Sequence, residues 1–380
     1  MTAFAPRPDL WTLDPAVLHL NHGSYGAVPR RAQQAAAALR EQTEANPMEW
    51  FRRLPERLDR TRATLAGHLG VDTGGFALVA NASAGVTAAL AAVPIPAGGT
   101  IVVTDHAYGA VRYACERFAR LRGAEVLTAA VPLTATDDEV VAAIERVLDG
   151  RTAVVVVDQI TSATAMVFPV ARVAALCRQA GVPVIVDGAH APGLIDAPVD
   201  GGADFWTGNF HKWPCAPRGT AGLYVAEPWR TTTLPLVASW SEYDELPRRF
   251  DQQATNDYVP WLAAPDALDV LGELDWPRRR AELSAMLDEA AAVVAKALGS
   301  RVPDVVAPAP TMRLVELPLT ISTAEPALEE FKARSAREIR AEITVTGLGE
   351  QVYLRLSAHA YNAFSDYERL AERLPALLTP

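Results

Sequence analysis

The sequence predicts an α/β protein: a mainly parallel sheet with helices on both faces, followed by a smaller α+β domain at the C-terminal end. Three observations carry this. Between residues 76 and 225, short apolar runs alternate with helical periodicity, the βαβα order that builds a parallel sheet. Residues 154–157 are four consecutive valines, the composition of a strand buried on both faces. After Pro260 the alternation gives way to longer, alanine-rich helical stretches broken by prolines.

Taken in order, residues 76–80 predict a strand and 84–92 a helix. A short strand follows at 101–103. Val111, Ala114, Cys115 and Phe118 then lie at i, i+3, i+4 and i+7, the apolar stripe of a helix. Residues 125–130 predict a strand, and Val140, Val141, Ile144, Val147 and Leu148 mark the next helix. The valine-rich strand spans 153–157. Pro169 opens a helix carrying Val170, Val173, Ala174 and Cys177, and Gly181 closes it. Further strands are expected at 182–186 and 221–225. Beyond them, helices are expected at 261–276 and 281–298. Pro303, Pro308 and Pro310 then break the chain. A strand at 312–317, a helix at 325–342 and a strand at 351–356 complete the smaller domain.

The chain has 380 residues, long enough to bury a large core without disulfides or structural metals. Its 35 basic and 45 acidic residues leave a formal charge of −10, the wrong balance for coating nucleic-acid phosphates. Its 3 cysteines, Cys115, Cys177 and Cys215, form no CxxC and suit a reducing compartment. No metal is expected. No apolar run reaches the ~18 residues of a membrane helix, and the first ten residues lack the pattern of a signal peptide. A cytoplasmic enzyme is the expectation. Lysine occurs only at Lys212, Lys296 and Lys332; every other basic residue is arginine, which stays protonated and cannot act as an amine nucleophile.

Ligands of open parallel sheets bind beyond the carboxyl ends of the strands. Asn81, Ala82 and Ser83 follow the strand at 76–80, and Ser83 can cap the next helix. Asp158 ends the valine run and Asp187 ends the strand at 182–186. A carboxylate at such a position is costly without a partner, and two in succession indicate a functional site. Lys296 and Lys332 fall on predicted helices. Lys212, in Thr207-Gly-Asn-Phe-His-Lys-Trp213, falls in a polar, aromatic-flanked loop, where desolvation could release its proton and prepare it for imine chemistry.

Asp187-Gly-Ala-His190, followed by Asn209-Phe-His-Lys212, resembles the pyridoxal-phosphate enzymes of the class V aminotransferase superfamily, fold type I. Leu20-Asn-His-Gly-Ser-Tyr-Gly26 and Arg355-Leu-Ser-Ala-His-Ala-Tyr-Asn362 are similar to its isopenicillin-N-epimerase-like branch. The resemblance spans about residues 18–365. It implies a large domain (21–265) with a seven-stranded, mainly parallel sheet and a small C-terminal domain (266–380). Residues 1–20 are expected to pack with the small domain.

The resemblance also implies roles. Lys212 is the Schiff-base lysine, and Asp187 keeps the pyridine nitrogen of pyridoxal 5'-phosphate protonated, making the ring an electron sink. His190 lies near the ring oxygen, supported by Ser162. Tyr108, with His106 as its rival, stacks on the ring. Ala82, Ser83, Asn209 and His211 hold the phosphate. Thr255 reaches the phosphate of a neighbouring subunit, implying a homodimer. Arg355 clamps the substrate carboxylate, and Asn21 and His22 line the substrate pocket. Trp240, Tyr243 and Phe250 are candidates for an aromatic substrate wall or for core packing. Ala254-Thr255-Asn256-Asp257 departs from the family's Gly-Thr-Arg-Asp at the dimer loop.

No strand is followed by GxGxxG and no GxxxxGK[ST] occurs, which argues against a nucleotide-binding oxidoreductase. No cysteine follows Cys215, which argues against persulfide-forming desulfuration. The expected reaction is Cα deprotonation of an amino acid followed by β-elimination from a cysteine S-conjugate, a C–S lyase of natural-product metabolism. The alternatives are an isopenicillin-N-type epimerase, and an aminotransferase or decarboxylating deaminase of the same family.

Overall fold

The computed structural model describes residues 5–319 and 321–378. The first four residues of the expected N-terminal segment and the last two of the chain lie outside the described residues. The chain begins with a short strand, β1 (Leu18–His19), a single-turn helix, α1 (His22–Tyr25), and two long helices, α2 (Arg30–Ala45) and α3 (Pro47–Leu69). The alternating region follows as β2 (Phe76–Val79), α4 (Ala82–Ala92), β3 (Thr100–Thr104), α5 (Gly109–Arg122), β4 (Glu125–Ala129) and α6 (Asp137–Glu145). It continues through β5 (Thr152–Asp158), α7 (Val170–Ala180), β6 (Val184–Asp187), β7 (Phe205–Asn209) and β8 (Ala221–Val225).

These strands form one seven-stranded sheet in the order β2-β8-β7-β6-β5-β3-β4. Only β8 runs antiparallel to its neighbours. The valine run explains the layering. Val154 and Val156 pack into the cluster on one face, while Val155 and Val157 pack into the cluster on the other. Successive strand residues point to opposite faces, so a sheet covered on both sides needs apolar residues at every position.

The C-terminal part comprises α8 (Val259–Leu262), α9 (Ala264–Glu273), α10 (Trp276–Ala297), β9 (Met312–Glu316), α11 (Glu325–Arg334), β10 (Ala341–Glu342), β11 (Thr344–Leu348), β12 (Gln351–Ser357) and α12 (Phe364–Arg373). β11, β12 and β9 form an antiparallel sheet, with α10 packed against β9 and α12. β1 pairs in parallel with β10, so the start of the chain is stitched to its end. Trp11, Leu18 and Leu20 join the same hydrophobic cluster as Leu283, Leu314 and Leu354.

Four local expectations differ from the structure. The single helix expected at 261–276 is α8 and α9, with α10 starting at Trp276. Each of the three carries a proline in its first turn, where no N–H is needed, and Asp275 turns the chain with φ of 50°. The helix expected to run to 342 ends as α11, followed by one π-turn and then Arg340 at φ 54°, which frees Ala341 and Glu342 to pair with β1. Residues 207–209, expected in a loop, belong to β7; their polarity hides a strand whose end faces the site. Asn81, not Ser83, caps α4: its Oδ1 accepts the Ala84 N–H at 2.9 Å.

Candidate active site

The carboxyl ends of β5, β6 and β7 meet the start of α4. Gly85 lets that helix approach: a Cβ there would stand 2.2 Å from the Thr207 hydroxyl on β7. Asn209 locks the contact by accepting the Ala82 N–H at 2.8 Å. A cavity of about 300 Å3 opens at this junction. Ala82, Ser83, Tyr108, Asp158, Ser162, Asp187, His190, Asn209, His211 and Lys212 line it, with Ser24 and Tyr25 from the N-terminal segment.

Lys212 is 9% exposed, and its Nζ lies 2.8 Å from Nε2 of His190. Burial and the Arg355 guanidinium lower its proton affinity to a pKa of about 7, against the opposing pull of Asp187 and Asp158. Lys296 is exposed and Lys332 is ion-paired with Glu329, so Lys212 alone combines an amine with a cavity. Burial raises the Asp187 carboxyl, while the Ala189 N–H, 2.9 Å from Oδ1, and Lys212 favour its anion. Asp158 is register-matched to Asp187 on the neighbouring parallel strand. Burial and the charge of Asp187 hold Asp158 well above the carboxylate range.

Two aromatic candidates separate cleanly. Tyr108 borders the cavity and is half exposed. His106 is buried away from it, with Nδ1 2.6 Å from the Thr164 hydroxyl and Nε2 2.6 Å from the Val131 carbonyl. At the start of α4, the Ala82 and Ala84 amides are already engaged by Asn209 and Asn81. That leaves the Ser83 N–H and hydroxyl as donors to an anion, with the dipole of the helix start behind them. His211 has Nδ1 3.1 Å from the Thr220 carbonyl, and burial lowers its pKa to about 4.

Arg355 stands behind the cavity wall. It donates to the Ser162 carbonyl, to the Ser162 hydroxyl at 3.3 Å and to Asn21 Oδ1 at 3.2 Å. Its Nε is buried without a partner, and no carboxylate pairs with it among the described residues. The structure therefore carries a buried guanidinium in want of an anion, and burial lowers its pKa to about 10.

Asn21, His22 and Thr255 do not border this cavity; Asn21 and His22 border a separate one of about 800 Å3, which Tyr25 also lines. His22 lies beneath the lysine loop. Its Nε2 is 3.0 Å from the Lys212 carbonyl, its Nδ1 2.9 Å from the Tyr361 hydroxyl, and its ring stacks on His359 at 4.1 Å. With both nitrogens engaged, it supports the loop rather than facing a ligand. His22, His359 and Cys215 come close together. The two rings are only 15° from parallel, so their in-plane lone pairs run side by side, and each Nε2 lies against a backbone carbonyl. Thr255 is exposed in the loop before α8. Trp240 and Tyr243 are 93% and 98% exposed, whereas Phe250 is core, so these three form no common wall within one chain. Ser24, Tyr25 and Trp213 were given no site role by the sequence, whereas Asp158, marked with Asp187 by its position after a valine run, does border the cavity.

The profile of the class V aminotransferases matches residues 35–297. The chain belongs to the class V aminotransferase family. Within that family it is 31% identical to isopenicillin N epimerase of Streptomyces clavuligerus, over 96% of both chains. It is 28% identical to a putative L-cysteine desulfhydrase of Oryza sativa subsp. japonica, over 95% of this chain and 83% of the relative. Among solved structures, a mutant of C-DES with glycine covalently linked to the PLP cofactor superposes with a TM-score of 0.83 at 19% identity, covering 98% and 99% of the two chains. That likeness establishes the fold as the one on which this class V protein is built.

Proposed function

We infer that the protein is a pyridoxal-phosphate-dependent enzyme that labilises the Cα–H bond of an amino acid, and that it acts as a C–S lyase. The observation that carries this reading is the cavity in which a buried, proton-poor amine, Lys212, shares space with the Asp187 carboxylate while the uncompensated Arg355 guanidinium stands behind the wall. The residues suit pyridoxal 5'-phosphate: an amine for its aldehyde, a carboxylate for its ring nitrogen, and a helix start for its phosphate. When bound, the cofactor supplies an aldehyde that condenses with amines and a ring that withdraws electrons from Cα.

In this reading, Lys212 would hold the cofactor covalently and would accept the Cα proton of the substrate. Its neutral state near pH 7 suits both tasks. Asp187 would hold the proton on the ring nitrogen, and His190 would lie near the ring oxygen. Tyr108 covers one ring face. Ser83, Asn209 and His211 surround the phosphate. Arg355, with Asn21 alongside it, receives the substrate carboxylate through its planar fork. Thr255, exposed in its own chain, serves the site of a partner in a homodimer, and Trp240 and Tyr243 supply apolar area for that contact.

Loss of a proton from Cα and of a thiolate from Cβ, followed by hydrolysis, converts a cysteine S-conjugate into thiol, pyruvate and ammonium. The desulfhydrase relatives support elimination. The thiols also favour it over persulfide chemistry. Cys115, Cys177 and Cys215 are all buried, and burial pushes Cys115 and Cys177 up to about 12 and Cys215 higher still. Epimerisation is the second reading, favoured by the 31% identity to isopenicillin N epimerase. Incubation with S-substituted L-cysteines in D2O separates them. Release of pyruvate and thiol supports the lyase. Recovered substrate with deuterium and inversion at Cα supports the epimerase and refutes elimination.

A further inference from the structure

We propose that Trp213 is a positioning residue: its indole N–H fixes the proton of His190 on Nε2, and His190 then donates to the Lys212 amine and holds it neutral.

The argument rests on counting donors. An indole nitrogen donates and cannot accept. Trp213 Nε1 lies 3.3 Å from Nδ1 of His190, so Nδ1 presents its lone pair. A neutral imidazole carries one N–H, which must then sit on Nε2. That nitrogen is 2.8 Å from Lys212 Nζ. An N–H pointing at Nζ needs a lone pair there, and an ammonium has none. A charged Lys212 would need His190 either without any proton or with an N–H facing the indole N–H. Double protonation of His190 is opposed by its burial and by Lys212 and Arg355.

The other groups facing this pair are Asp187 and Asp158 on the sheet, Arg355 on β12, and His22 and His211. The two aspartates favour the ammonium and Arg355 opposes it, so the His190 donor acts with Arg355.

The indole cannot swing away. Trp213 is fully buried, and its ring packs so closely on Gly23 that a Cβ there would stand 3.1 Å from it. The His22 ring covers it at 5.2 Å. Because Trp213 directly follows Lys212, the loop that delivers the amine also delivers the group that sets the tautomer. The inference rests on Lys212 as the reacting amine for its consequence. Its test uses the cofactor-free full chain, so it can fail while the proposed reaction stands, and the reverse.

Nitrogen-15 histidine spectra of that chain at pH 8 report the tautomer of each ring. The Nε2–H form is expected for His190, assigned by its loss in His190→Phe; the Nδ1–H form overturns the proposal. Three lysines give three signals with 13Cε-lysine labelling, and Lys212→Ala assigns one. Trp213→Phe should raise the Lys212 midpoint by one pH unit or more, a tenfold gain in proton affinity, with Lys296 and Lys332 unmoved. His190→Phe should do the same, and the double variant should add nothing further. An unmoved Lys212 midpoint in a Trp213→Phe chain with wild-type circular dichroism overturns the proposal. If that variant does not fold, the wild-type tautomer decides.

Discussion

Asp158 and Asp187 face each other as register partners at the ends of two adjacent parallel strands. Both are buried, and burial pushes both carboxyls up, Asp158 also through the charge of Asp187. Asp187 has the Ala189 N–H and Lys212 to stabilise its anion. Asp158 has the Tyr108 backbone and Lys212 on the same side of the balance.

Asp187→Asn should remove that ion and the cofactor's ring partner. Leaving a buried charge unpaired costs ~3–5 kcal/mol, so kcat/KM should fall about 10²–10⁴-fold and cofactor should dialyse away. Asp158→Asn, which leaves Asp187 and its Ala189 donor in place, should stay within about tenfold of wild type. Equal losses in both variants would refute Asp187 as the sole partner of the ring nitrogen.

Lys212→Ala should abolish covalent attachment of the cofactor, read as the absence of a cofactor-sized mass increment after borohydride reduction. Activity should drop by about 10³-fold or more, the scale of losing a positioned proton acceptor together with a nucleophile. A reduced adduct on Lys296 or Lys332 would contradict this.

Arg355→Gln removes a charged donor pair. Charge-assisted hydrogen bonds contribute ~1.5–3 kcal/mol, so KM should rise about 10–100-fold with a smaller change in kcat. For a substrate amine lacking the carboxylate, wild type and variant should perform alike. A variant that lowers only kcat would place Arg355 elsewhere in the chemistry.

Stability should fall in acid, the buried histidines outweighing Asp158, Asp187 and Asp251, whose burial-raised carboxyls work the other way. Burial holds His22 and His211 at about 4, and His190 and His359 also lie well below the usual value. In an unfolded chain they titrate near ~6.5. Between these values the unfolded chain binds more protons, so lowering the pH from 6.5 to 4 favours it, by up to about 1.4 kcal/mol per pH unit per histidine. Lys212, at about 7 when folded, works in the same direction from about pH 7 up to ~10, so stability should rise there. Denaturant titrations of the cofactor-free chain test both windows; stability that rises from 6.5 to 4 would count against neutral buried histidines.

Trp240→Asp should convert a dimer into monomers in sedimentation velocity, because it places a charge in the apolar contact expected around Trp240 and Tyr243. A wild-type chain that sediments as a monomer at micromolar concentration would refute the partner role of Thr255.

What the sequence disclosed follows from local rules. Valine runs ending in Asp158 and Asp187 mark sheet and site together, because alternation and end position are both written in consecutive residues. β7 was hidden for the same reason: Thr207 and Asn209 are polar because they serve α4 and β8, and polarity reads as loop. The choice between His106 and Tyr108 depended on which one the Thr164 hydroxyl and the Val131 carbonyl claim, a matter of contacts made far along the chain. Asn21 and His22 are consecutive, yet their side chains have different partners: Asn21 accepts from Arg355, while His22 braces the Lys212 carbonyl, a division made by residues far along the chain. Trp213 carried no signal at all, since a tautomer is a property of three side chains in space.

The carbonyls of Lys212 and Trp213 are held by His22, near the start of the chain, and His359, near its end. During synthesis, the middle of the protein therefore emerges long before its second support has been translated. A nascent chain released short of residue 359 would possess the reacting amine and most of its pocket, yet lack one of the two braces that aim it. Assembly of the working centre is in this sense a late event, timed by the arrival of the segment that follows β12.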